Sequence, residues 1–247
     1  MRGKLLIVLV VALLMVTGCS GERTSQSAAE APVVQAASVA VPETFVNFGE
    51  NEPARISGDE DATYNIFMEE GPYLFRMKSK DVFEGLNRVK MGVTLYSWQG
   101  AGLDESGWHV YESIHDWYSS GENEIVIEAE GEYEIEIHRL PLTDSPQKLP
   151  KTWSLLGTRV VGPFEAAANL TFKIRTEDAK NAGFLVRLLD AETGLLIENL
   201  YINVDPETRQ GINTVDTEVA VDLSGPGRYL VEVGCNRECY WEVSASE

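Results

Sequence analysis

Apolar and polar residues alternate along much of the chain. The clearest run is Glu124-Ile125-Val126-Ile127-Glu128, followed after Gly131 by Tyr133-Glu134-Ile135-Glu136-Ile137. Every second residue is apolar, which is the period of a strand with one face buried and one in water. The design returns at Val219, Val221 and Leu223 and, past Gly225-Pro226-Gly227, at Tyr229, Val231 and Val233. A glycine two residues before each tyrosine supplies a turn, so both stretches are predicted to be β-hairpins.

The same period predicts strands at Tyr64–Met68, Tyr73–Lys78 and Gly92–Trp98 ahead of the first hairpin. It predicts Arg159–Phe164, Leu170–Thr176, Phe184–Leu189 and Leu196–Asn203 ahead of the second, with Tyr240–Val243 after it. Clusters of Gly, Pro, Asn, Asp and Ser separate them, and no amphipathic helix of any length is present. The fold class is all-β: a sandwich over residues 44–140, a linker over 141–151 broken by Pro141, Pro146 and Pro150, and a second sandwich over 152–247.

Three blocks recur at a spacing of about 96 to 97 residues. Ile66-Phe67 matches Pro163-Phe164, Tyr73-Leu74-Phe75-Arg76-Met77 matches Leu170-Thr171-Phe172-Lys173-Ile174, and Gly131-x-Tyr133 matches Gly227-x-Tyr229. So long a period signals duplicated domains. The run of Phe, apolar-x-Phe-x-apolar and Gly-x-Tyr-x-Val-x-Val, closing with Tyr240-Trp241-Glu242-Val243, resembles the jelly-roll-like β-sandwiches of the bacterial pre-peptidase C-terminal type. That resemblance implies two tandem jelly-roll-like sandwiches acting as accessory or binding units, with no catalytic residues to carry over.

The N-terminus breaks the alternation. After Met1-Arg2-Gly3-Lys4, residues 5–16 are unbroken apolar sequence and lead into Thr17-Gly18-Cys19. Twelve helical residues rise about 18 Å, well short of a bilayer core of about 30 Å, so this is a signal-peptide core. Val16-Thr17-Gly18-Cys19 resembles the lipobox of bacterial lipoproteins, with Val where Leu is commonest. The resemblance implies removal of residues 1–18 as a signal peptide and acylation of Cys19. It therefore implies a place on the cell envelope, extracytoplasmic and lipid-anchored, with Ser20 pointing to the outer membrane in a Gram-negative cell. Two acyl chains hold a protein where one does not. Residues 19–43 are rich in Ser, Ala, Gln, Glu and Val without an aromatic residue, the composition of a flexible, disordered tether.

Charge narrows the partners. The chain carries 20 Lys and Arg against 39 Asp and Glu, a net of −19. Loss of Arg2 and Lys4 with the signal peptide leaves 18 against 39, or −21. Such a field repels phosphate backbones, and no local basic patch offsets it, so nucleic acid is excluded. Solvated acidic faces account for most such charge, with cation binding as the sharper alternative.

Cys235 and Cys239 flank three residues between the last two predicted strands. In an exported protein that arrangement means a disulfide across a hairpin mouth, where facing Cα atoms lie about 4.5 to 5.5 Å apart. Redox or metal pairing is the alternative, but Cys-x-x-x-Cys has no second ligand pair.

Residues 96–118 hold three of the five Trp and two of the three His, set among glycines in a presumed connection between strands. Trp98, Trp108, Tyr111, Trp117 and Tyr118 are the candidate ligand-binding residues, since exposed rings beside carboxylates stack on sugar faces. The favoured reading is that Trp98, Trp108 and Trp117 cap the sandwich core or pack on the second sandwich, since aromatic residues dominate cores and interfaces. His109, His115, Asp104 and Asp116 do not follow a recognised metal spacing, and Asp59-Glu60-Asp61 lacks the alternating ligands of a calcium loop. No metal or cofactor is expected. Nucleophile-elbow, zincin and phosphate-loop motifs are absent, and Gly100-Ala101-Gly102 lacks the third glycine of a dinucleotide site.

The expectation is a non-catalytic, lipid-anchored binding or interaction module with an envelope protein or glycan as partner. A glycan-binding lipoprotein using residues 96–118 and an enzyme with an unrecognised carboxylate site are the alternatives.

Overall fold

The computed structural model describes residues 44–49, 52–80, 88–91, 94–97, 102–118, 120–129, 131–176, 184–203, 214–235 and 239–247. The segments expected to be signal peptide and tether, Cys19 and Trp98 lie outside them. The described residues are all-β.

The strands of the first half are β1 Thr44–Val46, β2 Ala54–Gly58, β3 Ala62–Met68, β4 Gly71–Ser79, β5 Arg88–Met91, β6 Thr94–Ser97, β7 Gly102–Leu103, β8 His109–Trp117, β9 Gly121–Glu128 and β10 Tyr133–Arg139. Those of the second are β11 Lys151–Leu156, β12 Arg159–Ala166, β13 Leu170–Thr176, β14 Phe184–Asp190, β15 Leu196–Asn203, β16 Val215–Val221, β17 Gly227–Gly234 and β18 Tyr240–Ser246. Four sheets result, in the orders β1-β3-β9-β5-β6, β2-β10-β4-β8-β7, β11-β18-β13-β16 and β12-β17-β14-β15. β1 and β3 run parallel.

The first two sheets face each other over a core in which Ile66, Met68, Ile125 and Ile127 meet Phe75, Met77, Tyr133, Ile135 and Ile137. The other two enclose Phe172, Ile174, Trp241 and Val243 against Phe164, Phe184, Val186, Val231 and Val233. A third apolar layer joins the halves. Leu74 and Ile114 of the first, with Leu140 and Leu142 of the connection, bury against Val160, Leu189, Ala191 and Leu230 of the second.

The two alternating stretches are not hairpins. β9 pairs with β3 and β5, whereas β10 pairs with β2 and β4 in the facing sheet. β16 likewise pairs with β13, and β17 with β12 and β14. The chain therefore arches across each core. Alternation marks a buried face, and it is the same whether the next strand lies beside the first or opposite it. Gly131, at φ 118°, takes a backbone that L side chains avoid at the first arch. At the second, a Cβ on Gly227 would lie 2.8 Å from Tyr229 Oη, whose hydroxyl donates to the Gly225 carbonyl at 3.0 Å.

The repeat is also shifted. By neighbours, β2-β10-β4-β8 corresponds to β12-β17-β14-β15, and the pair β3–β9 to β13–β16. The counterpart of Tyr73–Met77 on β4 is thus β14, one strand beyond the block its sequence matches. Apolar-x-Phe-x-apolar is core periodicity and cannot tell neighbouring strands apart.

The acidic outer face of β10 is paired. Glu134 lies opposite Lys78 at 3.8 Å, and Glu136 takes Arg76 at 3.3 Å and Arg55 at 3.2 Å from the strands on either side, while Glu132 pairs with Lys80. Exposed pairs of this kind contribute about 0.2 to 1 kcal/mol each and fix register. Cys235 and Cys239 form the disulfide, with Cα atoms 6.0 Å apart. It closes the step from β17 to β18, which lie in opposite sheets, and not a hairpin mouth.

Polar groups are buried in the layer between the halves. Glu232 of β17, 3% exposed, accepts from Ser113 Oγ at 2.7 Å and the Ile114 N–H at 3.2 Å, and pairs with Arg187. Glu112 of β8 accepts from Arg76 at 2.5 Å and the Val160 N–H at 3.2 Å. Arg159 of β12 donates to the Gly102 carbonyl at 3.1 Å. Removing one partner of such a group strands the others. Glu232→Ala is expected to lower stability by about 3 kcal/mol, and Glu232→Gln by less. Urea denaturation of the three proteins measures the order, and equal midpoints for wild type and Glu232→Ala would contradict it.

Candidate ligand cleft between the two sandwiches

Of the candidate binding residues of the aromatic stretch, Trp108, Tyr111, Trp117 and Tyr118 are described, and they lie in different surroundings. The stretch is not a connection: it contains β6, β7 and the nine-residue strand β8, paired along its length with β4. Tyr111 and Trp117 are partly buried against the first core. Trp108 sits in the turn from β7 to β8, with Lys80 Nζ 5.1 Å from its ring centre. Asp104 builds that turn by accepting from Ser106 and the Trp108 N–H, both at 2.9 Å. Those bonds hold its carboxyl below the usual range against the opposing effect of burial. Tyr118 is 83% exposed. His115, half-buried, meets the Phe75 ring edge-on at 5.6 Å. Asp61 accepts the Ala129 N–H at 2.9 Å. Among the described residues no three His, Cys, Asp or Glu side chains converge to hold a metal ion.

A cleft of about 860 Å³ lies elsewhere, where the β1–β2 loop, the end of β3, the start of the inter-sandwich connection and β17 meet. Local folding sets its walls. β3 turns its Ile66 and Met68 into the core, so Phe67 between them points outward and is 53% exposed. Tyr73 Oη donates to the Glu69 carbonyl and accepts the Glu69 N–H, each at 3.0 Å, which ties the turn from β3 to β4. Burial raises this phenol above its ordinary range. Phe48 packs on the Tyr73 ring at 5.7 Å between centres and faces the cleft. The Leu140 N–H donates to the Pro72 carbonyl at 3.1 Å, anchoring the floor made by Leu140 and Leu142.

The second sandwich contributes Arg228. Its Nη2 donates to the Asp144 carbonyl at 2.8 Å and its Nη1 lies 3.5 Å from Glu192. Its Nε is buried and has no hydrogen-bond partner among the described residues. The turn from β14 to β15 supports this corner. Asp190 accepts from the Glu192 and Thr193 N–H groups, and Gly194, at φ 69°, comes so close to Pro72 that a Cβ would lie 2.6 Å from its ring.

Charge in the cleft is balanced. Glu52 and Glu69 stand against Arg139 and Arg228, with Arg139 paired to Glu69. His138 lies 3.2 Å from Glu136. None of Phe48, Phe67, His138, Arg139 and Arg228 stands out as a motif. The readable signal was Phe67, an aromatic residue in the outward, normally polar slot of an alternating strand.

No family model matches the chain, and no curated protein matches it. Solved structures resemble it at a distance. The crystal structure of plant peptide RALF23 in complex with FER and LLG2 aligns at a TM-score of 0.25 and 8% identity, over 79% of this chain and 83% of that one. The M60 catalytic domain with the CBM51-1 and CBM51-2 domains from Clostridium perfringens ZmpB aligns at 0.23 and 7%, over 78% and 34%. A triple jelly roll protein of an archaeal virus turret aligns at 0.23 and 5%, over 78% and 58%. Likenesses of this strength carry no functional argument.

Titration bears on the stability of this region. His138 and His115 both lie below their ordinary value near 6.5, chiefly because burial favours the neutral ring. As pH falls the unfolded chain takes up these protons first, so the stabilisation is whole above about pH 6.5 and declines below it. Glu136 is held low, its burial outweighed by the His138 hydrogen bond and the Arg76 charge, and its contribution is lost only below its ordinary value near 4.5. The urea midpoint is therefore expected to be flat above about pH 7 and to fall in two stages on acidification. In His138→Gln the first stage should shrink while the part due to His115 remains; an unaltered profile would contradict the assignment.

Proposed function

We propose that the chain is a non-catalytic binding module of the cell envelope, extracytoplasmic and lipid-anchored through Cys19, that holds its ligand in the cleft between the sandwiches. The observation that carries the reading is the make-up of that cleft. Phe48 and Phe67 offer apolar rings, and around them polar groups converge from the β1–β2 loop, the inter-sandwich connection and β17. Apolar walls with a few placed polar groups are what a ligand site requires. The ionisable side chains there are tied to one another, Arg139 to Glu69, Arg228 to Glu192 and His138 to Glu136.

The anchor rests on the resemblance of Val16-Thr17-Gly18-Cys19 to a lipobox. Cys19→Ser should move the protein from the detergent phase to the aqueous phase on partition, and an unchanged partition would refute acylation at this position. For the cleft, the full-length protein in detergent should gain melting temperature on incubation with fractionated envelope extract, and Phe67→Ala should not. Any ligand recovered should be chemically unchanged by mass spectrometry, whereas release of a product would make the protein an enzyme.

A further inference from the structure

We infer that the cleft takes a neutral oligosaccharide, whose end unit seats between Phe48 and Phe67 and whose next units run over Phe45 on the outer face of the first sheet. The inference rests on the cleft being the binding site, and it follows from three features of the walls.

The first is charge. In a chain of net −19, the cleft's two guanidiniums are already engaged, Arg139 by Glu69 and Arg228 by Glu192, and among the described residues no free cation is offered to a ligand. An anionic ligand would meet the surrounding field, and a cationic one would find Glu69 already engaged by Arg139. The second is the mixture of hydrogen-bonding groups. Asn47 and Thr143 offer donors beside the acceptor Glu52. A ligand bearing both donors and acceptors at every position, without net charge, is a polyol.

The third feature is the placement of the rings. A sugar has an apolar face of C–H groups that stacks on an aromatic ring. Val46 pairs with Ile66, and both turn toward the core, so Phe45 and Phe67 project together from the other face of their sheet, each 53% exposed. Asn65 and Glu124 lie in register beside Phe45, and Glu122 beside Phe67. The ring track thus leaves the cleft at Phe67 and continues at Phe45, flanked by an amide and two carboxylates that accept hydroxyl protons. A track longer than the cleft fits a chain of sugars better than one.

The test uses the full-length protein in detergent and neutral gluco-, galacto-, manno- and N-acetylglucosamine oligosaccharides from disaccharide to hexasaccharide, titrated calorimetrically, beside acidic oligosaccharides and a random peptide pool. One neutral series should bind, more tightly as it lengthens. Phe67→Ala should weaken every member of it by about tenfold or more, with the melting temperature unchanged. Arg228→Lys, which keeps the charge and removes the guanidinium from the cleft wall, should do likewise. Phe45→Ala should weaken the longer members and leave the disaccharide alone. If Arg228→Lys does not fold, the two exposed phenylalanines still decide. Binding only to peptides or acidic sugars, abolished by Phe67→Ala, would overturn the neutral saccharide while keeping the cleft as the site. Binding of any probe that ignores Phe67→Ala and Arg228→Lys would overturn both. No binding to any neutral series overturns the saccharide.

Discussion

The rest of the structure depends on the buried layer between the sandwiches. It is mostly apolar, yet it encloses Glu232 and Glu112, and each is met there by several donors. Glu232 gathers a hydroxyl and an N–H from β8 and a guanidinium from β14. Glu112 reaches in the opposite sense, from β8 to the Val160 N–H. Apolar contact alone would let two flat sheets slide, because burial has no direction. Hydrogen bonds to fixed backbone groups do have direction, so these two carboxylates set the register between halves. The cleft follows from that register, since Arg228 sits four residues before Glu232 on the same strand and meets the Asp144 carbonyl only when the layer is closed.

Acidity plays two roles. On β10 the outward glutamates meet lysines and arginines across the sheet, so the strand that reads as a row of repelling charges is a cross-strand ladder. On β9, Glu122, Glu124 and Glu128 remain exposed. Two strands of nearly the same pattern therefore present very different electrostatic surfaces, and the difference comes from their neighbours.

This explains which parts were legible in the sequence. Alternation located β3, β4, β9, β10 and nearly every strand of the second half, because aliphatic residues at every second position leave few other readings. It missed β8, where Tyr111, Ser113, His115 and Trp117 occupy one side of the alternation that aliphatic residues usually fill. It missed β2 and β11, which are short. The cysteine pair was readable from spacing, but its setting was not: a crossover and a hairpin differ only in what each strand pairs with, and pairing is non-local. The same holds for the cleft, whose groups come from positions as distant as Asn47 and Arg228 and which has no local motif. The aromatic stretch drew attention through composition, yet Tyr111 and Trp117 go to packing, while Phe67, on the outer face of β3, does not.

The place of the final strand has a consequence for how the chain reaches its fold. β18 does not lie at an edge; it sits between β11 and β13 and brings Trp241 into the centre of the second core. Until Tyr240–Ser246 is available, β11 and β13 have no strand to join them and the core has no centre. Because β11 and β13 precede β18 in the chain, the second core cannot close during synthesis until residues 240–246 have been made.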